Sequence, residues 1–229
     1  MHDTTLSHFA CFRFTPAFWA LAPEGRAKNL RALLADLATT ADAVHLYQCY
    51  PARGGVDFLV WSAIAVDDPA VPSAFFARAG RAVARNRTWL DPGDTLWGLT
   101  RPSPYVREPS RTTIEPFTDE RRPYLAVYPF VKTHAWHRLP LEERRRLMGE
   151  HIAIGRKHEG VRQLLLYAHG VQDQDFVVVY ETADLDRYSE LVAELRATEV
   201  RAYTARDTPI WTAMSRHAEE AVEIWAAGR

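Results

Sequence analysis

The two halves of the chain repeat one another, and this constrains the fold more than any single motif. Three blocks of the first half match three blocks of the second half in the same order. They are HFACFRFTPAFWALAP with LAVYPFVKTHAWHRLP, VHLYQCYPARGGVDFLVWSAIAVDD with VRQLLLYAHGVQDQDFVVVYETADL, and DTLWGLTR with DTPIWTAMSR. Three ordered matches indicate an internal duplication, so the chain should fold into two similar units.

The pattern of each half is strand, helix, two strands, helix, strand. In the second half, the apolar patterns and end signals predict these elements in order: strand 124–131, helix 140–158, strands 161–168 and 175–182 around a hairpin at HGVQD, helix 184–199, and a strand near 208–214. That order is the ferredoxin-like βαββαβ unit. We therefore predict an α+β fold in which two tandem ferredoxin-like units pack their sheets into a barrel, with the helices outside.

A proline-rich stretch separates the repeats. Five prolines lie between positions 102 and 123, which is typical of irregular connecting chain. We predict an N-terminal ferredoxin-like unit over residues 1–105, a linker over 106–122, and a C-terminal ferredoxin-like unit over 123–229.

Composition narrows the class of protein. The 229 residues are 47% hydrophobic, enough for substantial cores, and 28 basic against 29 acidic residues give a net charge of −1. Without a basic surplus, nucleic acid is not an expected partner. The two cysteines lack metal-site spacing, and no segment resembles a signal peptide or reaches the roughly 18 apolar residues of a membrane helix. We expect a cytoplasmic protein that does not enter membranes.

A histidine lies on the apolar stripe of the predicted 140–158 helix. The stripe consists of Leu147, Met148, His151, Ile152 and Gly155. His151 can be a core histidine with a satisfied ring nitrogen, or a neutral imidazole that holds a metal such as heme iron. The matching position of the first half falls near Leu34–Ala35, in an ordinary apolar helix. Periodicity alone leaves both interpretations open.

The stretch YPFVK…W…LPLEERRRLMGEHIAIGR…VRQ…YAHGVQDQDFVVVYET…ELRATE…DTPIW resembles the chlorite dismutase and coproheme decarboxylase family of heme proteins. The resemblance covers about 124–216, and the duplicated architecture covers the whole chain. It implies that His151 is the proximal ligand of the iron, so the C-terminal unit would bind the heme and the N-terminal unit would have no heme ligand. The resemblance further implies that the cofactor is heme b or iron-coproporphyrin III. It also implies a ring-shaped homopentamer. His158 is the rival ligand, and we interpret it as a packing residue.

The resemblance assigns further residues around the porphyrin. Lys132 and Glu199 take positions behind the proximal histidine, where a carboxylate orients the imidazole and strengthens it as a donor. Trp136 takes the position of a tryptophan beside the heme, and Arg156 that of an arginine that pairs with a propionate. The alternatives are a surface ion pair for Lys132 and Glu199, and an ordinary core aromatic for Trp136.

On the opposite, distal side of the porphyrin, Gln163 stands where chlorite dismutases carry an arginine. Arg162 alternates to the other strand face and should not replace it. Glutamine here resembles the coproheme decarboxylases of Gram-positive bacteria, and Tyr128 matches their redox-active tyrosine. The alternative for Tyr128 is a β-sheet tyrosine without a redox role.

The chain departs from the decarboxylase pattern in three ways. One is that it lacks the short insertion that those enzymes carry between the positions of Lys132 and Trp136, and the other two are single residues. Tyr203 and Pro209 stand where an arginine and a serine contact the porphyrin carboxylates. Arg201 and Arg206 are candidates to compensate.

The predicted function is a heme-binding oxidoreductase, with peroxide-dependent conversion of iron-coproporphyrin III to heme b favoured. Peroxide would bind opposite His151, Tyr128 would relay oxidising equivalents, and Lys132 could supply a proton. Two alternatives remain: a chlorite-degrading or general heme peroxidase, and a heme carrier without turnover.

Overall fold

The computed structural model describes residues 4–105 and 112–227. The first half contains four strands, β1 (Thr5–Phe14), β2 (Ala43–Gln48), β3 (Phe58–Ala65) and β4 (Leu90–Leu99). Its helices are α1 (Pro16–Trp19), α2 (Pro23–Ala38) and α3 (Val71–Arg85).

The second half repeats this order with additions at its end. Its strands are β5 (Tyr124–Lys132), β6 (Val161–Tyr167), β7 (Phe176–Thr182), β8 (Thr204–Arg206) and β9 (Trp211–Arg216). Its helices are α4 (His134–Arg138), α5 (Leu141–Lys157), α6 (Leu185–Ala197) and α7 (Ala218–Ala226), with a 3₁₀ turn at Glu199–Tyr203.

Strand pairing closes the two halves into one barrel. The order is β4-β1-β3-β2 in the first half and β6-β7-β5-β9 in the second, which is the same ferredoxin-like order. The halves join where β2 pairs with β9 and where β4 pairs with β6, and β8 adds to one edge of β5. All pairings between these named strands are antiparallel. The prediction of two tandem ferredoxin-like units with helices outside a barrel is confirmed.

One face of every barrel strand fills the interior, because side chains alternate along each strand. The interior cluster is apolar and draws on both halves, and its largest members are Phe9, Tyr47, Trp61 and Trp211. Ile114, from the linker region, is buried in the same cluster. Helices cover the outer face: α2 and α7 pack over the first half, and α5 and α6 over the second.

Helix α5, which carries the candidate ligand, follows the charge pattern that favours a helix. Glu142 and Glu143 lie in its first turn, and Arg156 and Lys157 in its last turn, so each end has the charge that complements the helix dipole. Leu147 is its fully buried contact with the core. Within the described ranges, no helix is long and apolar enough to cross a membrane.

Candidate functional site

The candidate site lies between helix α5 and the outer face of the second-half sheet. Cross-strand pairing fixes which side chains share that face. Gln163 of β6 is opposite Tyr180 of β7, and Leu165 is opposite Val178, which in turn is opposite Tyr128 of β5. Tyr128 and Tyr180 are buried, whereas Leu165 is 44% exposed. The strands therefore present an apolar surface with one amide, Gln163.

His151 is a largely buried, neutral imidazole. Its Nδ1 atom is buried and has no hydrogen-bond partner within the described residues. Burial lowers the pKa of His151 to about 4, and the positive charge of Lys132 lowers it in the same direction. A neutral ring at pH 7 with an unpaired nitrogen can act as a metal ligand, which a protonated ring cannot.

Lys132, at the end of β5, lies between aromatic rings and close to the histidine. Its Nζ atom is 4.3 Å from the ring centroid of Trp136 and 5.2 Å from that of Phe130. Burial lowers the pKa of Lys132 to about 8, helped by the charge of Arg201 and opposed by Asp175. A lysine with a pKa this close to neutral can give up and take back a proton under ordinary conditions.

Trp136 is buried, at 3% exposure, in a small cluster with Leu147 of α5 and Val200 of the 3₁₀ turn. The ring of Tyr203 lies 5.9 Å from it, centroid to centroid. Thr133 begins α4 by accepting a hydrogen bond from the Trp136 backbone N–H. This position is compatible with both interpretations of Trp136, as a core aromatic residue and as a tryptophan beside a cofactor.

Tyr128 belongs to a row of three tyrosines between the second-half sheet and α6, and the third of them, Tyr188, lies on α6. Its ring lies 6.4 Å from that of Tyr180, and the ring of Tyr188 lies 5.3 Å beyond Tyr180. Burial raises the pKa of Tyr128 well above its ordinary value, and a hydrogen bond with Tyr180 contributes to the same shift. Tyr128 is thus a neutral phenol with a hydrogen-bond partner for its hydroxyl. Sequence analysis did not assign Tyr180 or Tyr188 to the site, because their proximity to Tyr128 depends on the register of β5 against β7 and on the packing of α6 on the sheet.

Gln163 is exposed on the sheet face that points to the helices. Its backbone is held on both sides: it pairs with Tyr180, and its N–H and C=O bond to Thr112 and Ile114 of the linker at 2.8 and 3.0 Å. Arg162 lies on the other face and forms an ion pair with Glu120, with 2.6 Å between Nη2 and Oε1. Strand alternation therefore separates Arg162 from Gln163 as predicted from the strand period.

Three other predicted positions lie at the edge of this region. Glu199 is exposed and accepts hydrogen bonds from both terminal nitrogens of Arg146, at 3.1 and 2.9 Å, and no contact with His151 accompanies them within the described residues. Arg156 is exposed and forms no ion pair with a described residue. His158 ends α5 and contacts Glu194, with 3.0 Å between Nε2 and Oε1.

The arginines considered as compensating groups differ in their availability. Arg201 is already paired with Asp207, with 2.6 Å between Nη1 and Oδ2. Arg206 is exposed on β8. Pro209 follows a cis peptide bond after Thr208.

Comparison with known proteins identifies the family of the chain. The family model described as chlorite dismutase matches residues 24–216. The chain belongs to the chlorite dismutase family. As a member, it falls among heme-dependent enzymes, as the sequence resemblance implied.

Comparison with individual proteins agrees with this assignment to the chlorite dismutase family. The chain is 30% identical over 172 residues to the coproheme decarboxylase of Mycolicibacterium smegmatis, covering 73% of this chain and 70% of the relative. A mutant chlorite dismutase of Candidatus Nitrospira defluvii superposes with a TM-score of 0.84 at 21% identity, over 99% of this chain and 97% of that one. The chlorite dismutase of the same organism in complex with imidazole superposes with a TM-score of 0.81 at 20% identity, over 97% of this chain and 95% of that one. At these identities the solved structures establish the fold alone.

Proposed function

We propose that this protein binds an iron porphyrin through His151 and converts iron-coproporphyrin III to heme b with hydrogen peroxide. The observation that carries the proposal is the buried Nδ1 of His151, unpaired within the described residues, on a ring that burial keeps neutral. The name of the 30%-identical relative supports the choice of substrate. By family resemblance, the working assembly is a homopentamer.

The residues present fit a porphyrin. His151 supplies a neutral nitrogen for the iron, and the half-exposed Leu165 supplies apolar surface for a flat ring. Arg156, which has no ion pair within the described chain, is available for a carboxylate of the porphyrin. When bound, the iron porphyrin supplies the redox chemistry with peroxide and is also the molecule that changes. Glu199 would have to leave Arg146 to orient the imidazole, so its predicted role is the least supported by contacts.

The protein residues then divide the remaining work. Gln163 presents an amide toward the open side of the pocket and can hydrogen-bond peroxide without carrying a charge. Tyr128 is a phenol from which a peroxide-oxidised iron porphyrin could take one electron, and its hydroxyl has a hydrogen-bond partner in Tyr180. Lys132, with its pKa near 8, can hold or return a proton beside Trp136. By family resemblance, efficient degradation of chlorite needs a cationic side chain on the distal side of the porphyrin. Arg162 faces the barrel interior and is paired with Glu120, so it does not supply that charge.

The reaction is tested by incubating anaerobically purified protein with iron-coproporphyrin III and limiting peroxide, and weighing the porphyrin. Loss of two carboxyl groups supports the proposal. Unchanged coproheme would support a carrier instead. The packing of Tyr203 against Trp136 favours this alternative, because it leaves the Tyr203 side chain less free to contact a porphyrin carboxylate. In a separate incubation with chlorite, release of oxygen would support a chlorite-degrading enzyme.

The ligand assignment predicts that His151→Ala abolishes tight porphyrin binding, measured by titration of the Soret absorption. His158→Ala is the matched control, because it lies on the same helix but has Glu194 as its partner, and we expect it to bind the porphyrin as the wild type does. Loss of binding in His158→Ala alone would overturn the assignment.

The role of Tyr128 predicts that Tyr128→Phe binds iron-coproporphyrin III nearly normally, since only a hydroxyl is removed. Conversion of the first propionate should fall by orders of magnitude in single-turnover assays. Tyr124→Phe, at the start of the same strand, should convert at the wild-type rate. Equal rates for Tyr128→Phe and wild type would make Tyr128 structural.

A further inference from the structure

Three metal-ligating side chains converge at the hairpin between β6 and β7. His137 lies on α4, His169 in the hairpin turn, and Asp175 immediately before β7. One nitrogen from each histidine and one carboxylate oxygen all lie within 4.8 Å of one another. None of these residues is assigned to the proposed porphyrin site, although Asp175 accepts a hydrogen bond from the backbone N–H of Lys132. Sequence analysis used HGVQD, which includes His169, only as a hairpin signal.

The distances are close to those of a coordination sphere. His137 Nε2 is 3.3 Å from Asp175 Oδ2, and His169 Nε2 is 3.8 Å from Asp175 Oδ1. Ligands of a tetrahedral zinc ion at 2.0–2.1 Å from the metal are about 3.3 Å apart. The three ligand atoms lie within 4.8 Å of one another, so rotation of the two exposed histidine rings would have to shorten the longest separation before all three groups contact one ion.

The backbone and packing around the cluster restrict its ligands before any ion binds. The Lys132 N–H donates to Asp175 Oδ2 at 2.7 Å, and Asp175 C=O accepts from Ala168 N–H at 2.8 Å. The ring of His169 packs edge-on against Phe176, 4.7 Å between centroids. Gly170, at φ +71°, makes the turn that returns the chain toward β7. A site whose parts are already held loses less entropy on binding.

We propose that His137, His169 and Asp175 form a site for one divalent transition-metal ion of the zinc class. Two imidazoles and one carboxylate match the ligand preference of Zn²⁺, whereas Mg²⁺ and Ca²⁺ prefer oxygen ligands throughout. Three protein ligands leave one tetrahedral position for water or for an anionic group of another molecule. The site is separate from the porphyrin iron and does not depend on the proposed reaction.

The test is calorimetric titration of the full-length protein with zinc chloride, with and without bound iron porphyrin. We expect one saturable Zn²⁺ per chain under both conditions. His137→Ala, His169→Ala and Asp175→Asn should each weaken the Kd by at least about ten-fold. His217→Ala removes another exposed histidine, ahead of α7, and should leave the Kd unchanged. Circular dichroism checks that each variant is folded.

Two results would overturn the proposal. One is a wild type that binds no more Zn²⁺ than the triple variant, which combines His137→Ala, His169→Ala and Asp175→Asn. The other is binding that survives in the triple variant but is lost in His151→Ala, which would assign the ion to the porphyrin ligand. If zinc binds as expected but coproheme is unchanged by peroxide, the metal site stands and only the proposed function fails.

Discussion

Replacing Gly98 with alanine tests the seam at which the two halves close the barrel. Gly98 lies on β4 beside β6, where Leu99 opposite Tyr167 is the registered pair. A Cβ atom at Gly98 would lie 2.8 Å from the Tyr167 carbonyl oxygen and 3.0 Å from Leu166 Cβ. Neither atom is at the end of a flexible side chain, so the strands themselves must separate. Overpacking of this kind costs about 1–3 kcal/mol.

For a chain of this size, each kcal/mol lowers Tm by about 2–4 °C, so Gly98→Ala should lower Tm by roughly 2–12 °C. Gly80→Ala is the matched control. Gly80 lies in α3, and a Cβ atom there meets nothing within 4 Å, so alanine should stabilise the helix by up to about 1 kcal/mol. Differential scanning calorimetry at one fixed protein concentration measures both, because assembly makes Tm depend on concentration. A Gly98→Ala protein as stable as wild type would show that β4 and β6 are not closely paired.

Two further predictions concern His8, which packs against α3, and the buried ion pair of Arg121 with Glu181. Burial lowers the pKa of His8 to about 4, so below pH 6.5 the unfolded chain binds a proton that the folded chain rejects. The His8 contribution to the free energy of unfolding should fall by about 3 kcal/mol between pH 6.5 and 4 and then level off. His8→Gln should remove that slope from urea titrations, and an unchanged slope would exclude His8 as its source. Arg121 lies 3.3 Å from the buried carboxylate of Glu181, so Arg121→Met should cost about 3–5 kcal/mol in urea unfolding. Adding Glu181→Gln should recover part of that loss, and a double variant no more stable than Arg121→Met would contradict the pairing.

Local periodicity predicted the features that depend on one element alone. The helical stripe placed Leu147 and His151 on one side of α5, and Leu147 is buried there. The strand period separated Arg162 from Gln163, and the two side chains do lie on opposite faces of β6. Both patterns repeat within a few residues, so the direction of each side chain follows from the sequence.

Contacts between distant segments were beyond the sequence. The partner of Tyr128 is Tyr180, 52 positions along the chain, and it depends on the register of β5 against β7. The cluster of His137, His169 and Asp175 depends on how α4 meets the β6–β7 hairpin. Periodicity specifies which face a residue is on but not which residue of another strand lies opposite. The predicted proximal role of Glu199 remains a prediction, since its position depends on a 3₁₀ turn that no sequence signal indicated.

The duplication also explains why one half is suited to a flat ligand. In the first half, the space between sheet and helix is filled by packed aromatic rings, Phe12, Phe14 and Phe58, and the C-terminal helix α7 adds Trp225 to them. In the second half, the same face carries the half-exposed Leu165 and the exposed Gln163, and no helix equivalent to α7 covers them within the described residues. Closing a packed aromatic layer favours stability, and opening it costs buried apolar area. This difference supports placing the proposed porphyrin site in the second half, with the first half acting as the packed support that completes the barrel.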